Sequence, residues 1–214
     1  VTVEDAMKPE LELLASGDTL RLNQFGQRVV TVPGIIGDVS DNCTDANYVV
    51  INVTYTNSCN NVTKSGTSIS LDCSDDSRAC STLPDYDLRT FTITATDEEG
   101  NVETVTRDYF VIDLFAPNVY PENLTLYLPE DPGGNAQVTT DAGVWTGNEA
   151  GTALDPVGLD SATEDACGIV SKALLRTATQ STPDQTHTYS CEDLGANTYF
   201  LRATDVYDNR AAYQ

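Results

Sequence analysis

Basic residues are scarce in this chain: 11 Lys and Arg stand against 33 Asp and Glu in 214 residues, for a formal net charge of −22. Nucleic acid is held by clustered cations, so this shortage argues against a nucleic-acid partner. Self-repulsion on that scale works against the compact state and is relieved by bound divalent cations or by salt. Histidine is scarcer still, with His187 alone. Together with the lack of a Gly-x-Ser-x-Gly elbow or a phosphate-binding glycine loop, this removes the common nucleophilic and nucleotide-dependent templates, and no enzyme is expected. No Cys-x-x-Cys pair is available for a zinc site. Long apolar runs are also missing. Nothing approaches the ~18 residues a spanning helix needs, and the first residues carry no basic region followed by an apolar stretch. Direct membrane insertion is therefore not expected, and any export or anchoring signal is expected elsewhere.

A long helical period is absent too, while 14 Gly and 9 Pro punctuate short Val, Thr, Ile and Tyr runs. That pattern predicts two all-β domains of sandwich size, each large enough for its own core. The division follows from an internal repeat. The stretch ATDEEGNVETVTRDYFVIDLFAPNV, from Ala95 to Val119, has the same layout as the last twelve residues, ATDVYDNRAAYQ, continued by the first ten, VTVEDAMKPE. Pro117 lies 108 positions after Pro9. This amounts to about two turns of a repeat of roughly a hundred residues. The expected domains are residues 8–115 and 116–214, with residues 1–7 forming the last strand of a preceding unit plus a linker. The second domain is expected to receive its last strand from a following unit.

The strands keep one register in both units. With Asp97 set on Asp205, Phe91, Ile93 and Ala95 fall on Tyr199, Leu201 and Ala203, alternating with Thr92, Thr94 and Thr96 or Phe200, Arg202 and Thr204. Period-two alternation places the first set inward. The turns that follow, Asp97 to Asn101 and Asp205 to Asn209, carry the Asp, Asn and Gly chemistry of tight hairpins. Earlier in each unit, Leu20–Leu22 and Leu124–Leu126 open through turns into Val29–Val32 and Ala136–Thr139.

The repeat also orders the six cysteines. Ser-Asp-Asn-Cys43 corresponds to Glu-Asp-Ala-Cys167, and Leu-Asp-Cys73 to Tyr-Ser-Cys191. Equivalent positions forming equivalent bonds would pair Cys43 with Cys73 and Cys167 with Cys191, leaving Cys59 for Cys80. The four cysteines of the first unit allow three connectivities. Each closed loop would contribute roughly 3 kcal/mol. Four Asn-x-Ser/Thr sequons, at Asn42, Asn52, Asn61 and Asn123, join the cysteines in suggesting an extracellular or cell-surface glycoprotein.

The sequence order of hairpin, Ser40-Asp41-Asn42-Cys43, Val-rich strand, cysteine, Thr92-Ile93-Thr94-Ala95-Thr96-Asp97 and Gly100-Asn101 resembles the hyalin (HYR) repeat and related immunoglobulin-like repeats of secreted adhesins and surface filaments. The second unit, with Glu164-Asp165-Ala166-Cys167-Gly168-Ile169, Cys191 to Gly195 and Ala203-Thr204-Asp205, resembles the version found in tandem arrays of large bacterial surface proteins. The likeness covers nearly the whole chain, departing at the extra pair Cys59 and Cys80 and at Asp208, where the pattern usually has glycine. It implies two tandem immunoglobulin-like sandwiches acting in adhesion or as spacers, without catalysis.

The expected role is thus a structural unit of an extracellular fibre or adhesin stalk whose partners are other copies or units of the same repeat. Val1, Thr2 and Val3 are the assembly residues, joined head to tail by strand continuation in a covalent array or by strand donation in a polymer. Acidic residues gather near the unit ends, at Glu4, Asp5, Asp97, Glu98, Glu99, Asp113, Asp205 and Asp208. They are candidate calcium ligands, since calcium takes six to eight oxygens. The alternative is a carbohydrate-binding module that stacks surface glycans on exposed aromatics such as Trp145, Tyr120, Tyr127, Tyr207 and Tyr213.

Overall fold

The computed structural model describes residues 1–15, 17–79, 87–120, 138–141, 145–146, 163–175, 177, 179 and 186–213. Strands dominate these residues, and the chain forms two compact units, Val1–Leu114 and Phe115–Gln214. The all-β expectation therefore holds. Cys80, Asn123, Tyr127 and the expected first hairpin of the second unit lie outside the described residues, apart from Val138 and Thr139.

Among the described residues, nine strands build the first unit: β1 (Glu10–Leu13), β2 (Thr19–Arg21), β3 (Arg28–Thr31), β4 (Ile36–Ser40), β5 (Val50–Thr56), β6 (Thr63–Gly66), β7 (Ser68–Leu71), β8 (Arg89–Thr96) and β9 (Val102–Ile112). They form a five-stranded sheet in the order β2-β9-β8-β5-β6 and two separate pairs, β1-β4 and β3-β7. All neighbours are antiparallel except β2 and β9, whose parallel register sets Thr19 on Phe110 and Arg21 on Ile112. The long β9 serves two partners. Its first eight residues pair with β8, from Thr96 on Val102 to Arg89 on Tyr109.

The alternation read on β8 is realised in full. Phe91, Ile93 and Ala95 are each 0% exposed, while the intervening threonines face the other way. Phe91 lies opposite Tyr55 across the β5-β8 ladder, and the rings stack at 4.8 Å with planes 13° apart. Tyr109 meets the other side of Phe91 edge-on, with centroids 5.3 Å apart. Such pairs add about 0.5–1.5 kcal/mol to the burial itself. Val30, Ile69 and Leu71, on the β3-β7 pair, are also buried. Amphipathic strands of this kind are stable only when their apolar faces share a core.

The second unit contains β10 (Val138–Asp141), β11 (Trp145–Thr146), β12 (Ile169–Leu175), β13 (Thr186–Tyr189), β14 (Phe200–Asp205) and β15 (Arg210–Tyr213). Strands β11, β12, β14 and β15 form one antiparallel sheet, and β10 pairs with β13. Leu201 and Ala203 are buried with Val119, and Tyr199 and Ala211 pack against them. The inward set of β14 thus matches that of β8.

The hairpin turns match as well. Gly100 donates its amide to the Asp97 carbonyl and Asp208 donates to Asp205, each at 3.3 Å. Gly100 has φ of 91° and Asp208 of 67°. Asp208 therefore enters the left-handed region that its glycine counterpart uses freely, a conformation that a short polar side chain tolerates. Arg210 grips its carboxylate through Nε at 3.0 Å and a terminal nitrogen at 2.6 Å.

Phe91→Ala is expected to lower the unfolding free energy of the first unit by about 3–5 kcal/mol. Thr106→Ala, on the exposed face of β9, should change it by no more than about 0.5 kcal/mol. Urea titration followed by tyrosine fluorescence measures both.

Candidate functional site

Asp97 directly follows β8 and organises the turn that begins there. Its Oδ1 accepts from the Asn101 amide and its Oδ2 from Asn101 Nδ2, both at 2.7 Å. A second Asp-led turn lies alongside, where Asp41 Oδ2 accepts from the amides of Cys43 at 3.0 Å and Thr44 at 2.8 Å. The Thr44 and Cys43 amides hold the Asp41 carboxyl below its ordinary range. The buried Thr44 hydroxyl ties the two turns together, donating to Glu99 Oε2 and accepting from the Glu98 amide, each at 3.3 Å. The opening segment docks against both. Asn42 Nδ2 donates to Asp5 Oδ1, and Asn101 Nδ2 donates to the Asp5 carbonyl, again at 3.3 Å.

Carboxylate oxygens of Asp5, Asp97 and Glu99 thereby come within 4.8 Å of one another. Like charges this close repel unless a proton or a cation intervenes. Asp5 Oδ2 and Asp41 Oδ1 are buried atoms without a hydrogen-bond partner, and such orphaned acceptors fit a hard cation with oxygen ligands. Three of the eight expected acidic ligands therefore converge. Glu4 and Glu98 are exposed and stand outside the group. The amide of Asp113 donates to Asp76 Oδ2 at 2.6 Å, and its carbonyl accepts from Arg78. Asp205 closes its own turn, accepting from the Tyr207 and Asn209 amides at 2.8 Å, and Asp208 pairs with Arg210.

Val1, Thr2 and Val3, the expected assembly residues, form no strand and are exposed; they lie in the same compact unit as half-buried Asp5 and buried Pro9. Within residues 1–7, Asp5 is fastened to the turns of Asp41 and Asp97 through Asn42 and Asn101.

The expected disulfide pattern needs correction. Cys43 and Cys191 are exposed free thiols, while Cys59, Cys73 and Cys167 are disulfide-bonded. Neither Cys43–Cys73 nor Cys167–Cys191 forms. The cause lies in the two kinds of turn that hold the repeat cysteines. Cys43 follows the Asp41 turn beside Asp5, whereas Cys73 opens a 3-10 turn, Cys73–Asp75, that leads into Asp76 beside Asp113. Equivalence in the repeat identifies like positions, not bonded ones.

The sequence reading missed a buried polar cluster around that 3-10 turn. Asp75, Asp76, Ser77 and Asn57 are each 0% exposed, and Arg89 is 1% exposed. Arg89 crosses beneath the turn, donating from Nε to the Asp75 carbonyl at 3.0 Å and from a terminal nitrogen to the Asp76 carbonyl at 2.5 Å. The Asp75 carboxylate accepts from Asn57 Nδ2 at 3.0 Å, from the Asp72 amide at 2.9 Å and from Lys64 Nζ at 2.5 Å. Asp72 and Asp75 form a reciprocal capping box, and Ser190 and Asp193 form the same box before Cys191–Asp193 in the second unit. The signal was present in the sequence as a polar cap followed three residues later by an acid.

No known protein family, curated protein or solved structure matches this chain.

The remaining candidates separate by position. Asn61 is exposed in a turn with φ of 57°, the setting a glycan acceptor needs. Asn42 is exposed beside the acidic cluster, and half-buried Asn52 lies within β5 with its amide on Ser65 Oγ at 2.9 Å. Trp145 belongs to β11, paired with Lys172 of β12, and its backbone lies at an edge of that sheet. Tyr120 and Tyr213 are exposed, and Tyr207 is half-buried.

Lys64 is the testable member of the polar cluster. Burial opposes its charge, but its bonds to Asp75 and Asp72 prevail and hold its pKa above the ordinary 10.5. Burial opposes ionisation of Asp72 as well, and the Ser74 hydroxyl and amide, with Lys64, hold its pKa below 3.8. Lys64→Ala leaves the Asp75 carboxylate buried without its cation and should cost about 3 kcal/mol. A raised lysine pKa contributes fully below 10.5 and is lost at higher pH; a lowered carboxylate pKa contributes above 3.8 and is lost as acid is added. The wild type should therefore exceed K64A by a constant margin from about pH 5 to about pH 9, narrowing on either side. Denaturant titrations across pH check this.

Proposed function

We propose that this chain is a structural repeat of an extracellular fibre or adhesin stalk, built from immunoglobulin-like sandwiches that join head to tail by strand continuation or strand donation. Its partners are other units of the same kind. One observation carries the reading. Counting 108 positions on from Val1 and Val3 leads to Tyr109 and Val111, which are 2% and 0% exposed in β9, whereas Val1 and Val3 are 127% and 91% exposed. Two apolar positions that seal the sheet in one setting thus face water in the other. The stretch from Phe110 to Ile112 is also where β9 extends beyond β8 to pair with β2.

The strand order supports the sandwich reading. A terminal hairpin flanked by β5 and β6 on one side and a parallel edge strand on the other fits one immunoglobulin-like sheet, with β3-β7 suited to the second. The bonded cysteines favour an oxidising compartment. Among the described residues, no helix is long and apolar enough to cross a membrane. Calcium held by Asp5, Asp97 and Glu99 would fix the opening segment against the first unit and offset repulsion in an acidic chain.

Appending a second copy of residues 1–8 after Gln214 should raise the melting temperature of the second unit by about 4–8 °C, the equivalent of roughly 1 kcal/mol in a domain of this size. Val3→Asp in the appended copy should remove the gain. An unchanged melting temperature with the wild-type segment overturns strand joining.

Calcium should raise the melting temperature of the first unit by several degrees, because a ligand at a hundred times its dissociation constant stabilises by ~2.7 kcal/mol. Chelator should reverse the shift, and Asp5→Asn with Glu99→Gln should abolish it. Calorimetry with and without calcium decides whether the cluster holds the ion.

A further inference from the structure

One buried carboxylate holds a lysine amine and a carboxamide at the same time. Asp75, 0% exposed, accepts from Lys64 Nζ at 2.5 Å through Oδ2 and from Asn57 Nδ2 at 3.0 Å through Oδ1. Asp72 Oδ2 accepts from the same amine at 3.2 Å. The rest of the carboxamide is held as well: the Cys59 amide donates to Asn57 Oδ1 at 2.8 Å, and Asn57 Nδ2 donates also to the Ser74 carbonyl at 2.8 Å. Local pairing explains the meeting. Tyr55 lies opposite Lys64 on the β5-β6 ladder, and the Asn57 amide bonds the Val62 carbonyl where the hairpin closes. Asn57 and Lys64 therefore share the face on which Tyr55 is buried. Tyr55 and Asn57 are 1% and 0% exposed, and the stacked ring of Phe91 lies beyond Tyr55, so little water reaches the group. Amide exchange needs an attacking amine, an acid–base group that touches both the amine and the leaving nitrogen, and a donor on the carbonyl oxygen that gains charge. Lys64, Asp75 and the Cys59 amide occupy those three places around Asn57.

We propose that the side chains of Lys64 and Asn57 join in an intramolecular isopeptide bond, with Asp75 as the proton carrier. Lys64 Nζ gives a proton to Asp75 Oδ2, and its freed electron pair attacks Asn57 Cγ. The carbonyl electrons move onto Oδ1, where the Cys59 amide stabilises them. Asp75 hands its proton to Nδ2, the carbonyl re-forms, the Cγ–Nδ2 bond breaks and ammonia leaves. The second proton shed by Nζ stays on Asp75, which is neutral once its cation has gone. A charged amine, a carboxylate and a carboxamide thus become a secondary amide, a carboxylic acid and ammonia, with no oxidant or co-reactant consumed. In the resting pair the proton sits on Lys64, so the bond forms slowly after folding has buried the group, and the ion pair is the state that precedes it. The bond lies within the first unit and stands whether or not units join into a fibre. It ties β6, a four-residue strand at the edge of the five-stranded sheet, to the end of β5.

The test follows the intact mass of the full chain, freshly purified and then incubated warm but below its melting temperature. The expected result is a progressive loss of the mass of one ammonia molecule and, after digestion, a branched peptide in which the Lys64 side chain carries the Asn57 segment. Lys64→Arg keeps a cation beside Asp75 but offers no amine that can attack. It should hold its full mass while melting close to the freshly purified wild type. A wild type that keeps its full mass overturns the proposal. An equal loss in K64R overturns it too, since that ammonia would come from closure of an asparagine onto its own backbone. Should K64R fail to fold, the wild-type digest decides alone: a peptide with Lys64 and Asn57 joined supports the bond, and a lighter chain without that peptide overturns it.

Discussion

The register of β8 is the constraint on which the first unit depends. Side chains on a strand alternate with a period of two, so a slip of one residue would bring Thr92, Thr94 and Thr96 inward and put Phe91, Ile93 and Ala95 into water. Fixing β8 fixes its neighbours. Tyr55 must face Phe91 from β5 and Tyr109 must close on it from β9, which delivers Asp97 to the buried end of the strand. The acidic cluster is a product of this register, because Asp97 reaches Asp5 and Glu99 only when Ala95 points inward. β14 repeats the constraint with Leu201, Ala203 and Asp205.

Much of this was legible because it is local. The alternation of β8 and β14, the paired turns and the two-unit division each leave a short-range pattern in the sequence. The cysteine pairing did not, because the surroundings of each turn are decided by contacts across long stretches of chain, such as Asn42 with Asp5 and Asp76 with Asp113. The acidic candidates divided on similar grounds. Asp205 and Asp97 look alike in sequence and close identical turns, but the cluster that forms around Asp97 also draws on Asp5 and Glu99. Asp208 adopts the backbone conformation of Gly100 despite its side chain, helped by Arg210.

The buried polar cluster shows how an acidic chain uses its few cations. Lys64 and Arg89 are set against inward-facing acceptors of the 72–76 segment, where low dielectric strengthens each contact. Arg89 satisfies two carbonyls that would otherwise be stranded, and Lys64 neutralises a carboxylate that could not be buried alone. Fixing this segment also fixes the Cys73 turn and, through Asp76, the place where the chain leaves the unit.

The parallel pairing of β2 with β9 has a mechanical consequence. One strand lies near the start of the unit and the other at its end, and they run side by side in the same direction. A pull on the two ends of the unit drags them past each other lengthwise. The flanking bonds, Phe110 to Asp18 at 2.6 Å and Leu22 to Ile112 at 2.9 Å, are then loaded together in shear rather than opened one after another. A short seam of this kind resists stretching more than its length alone suggests.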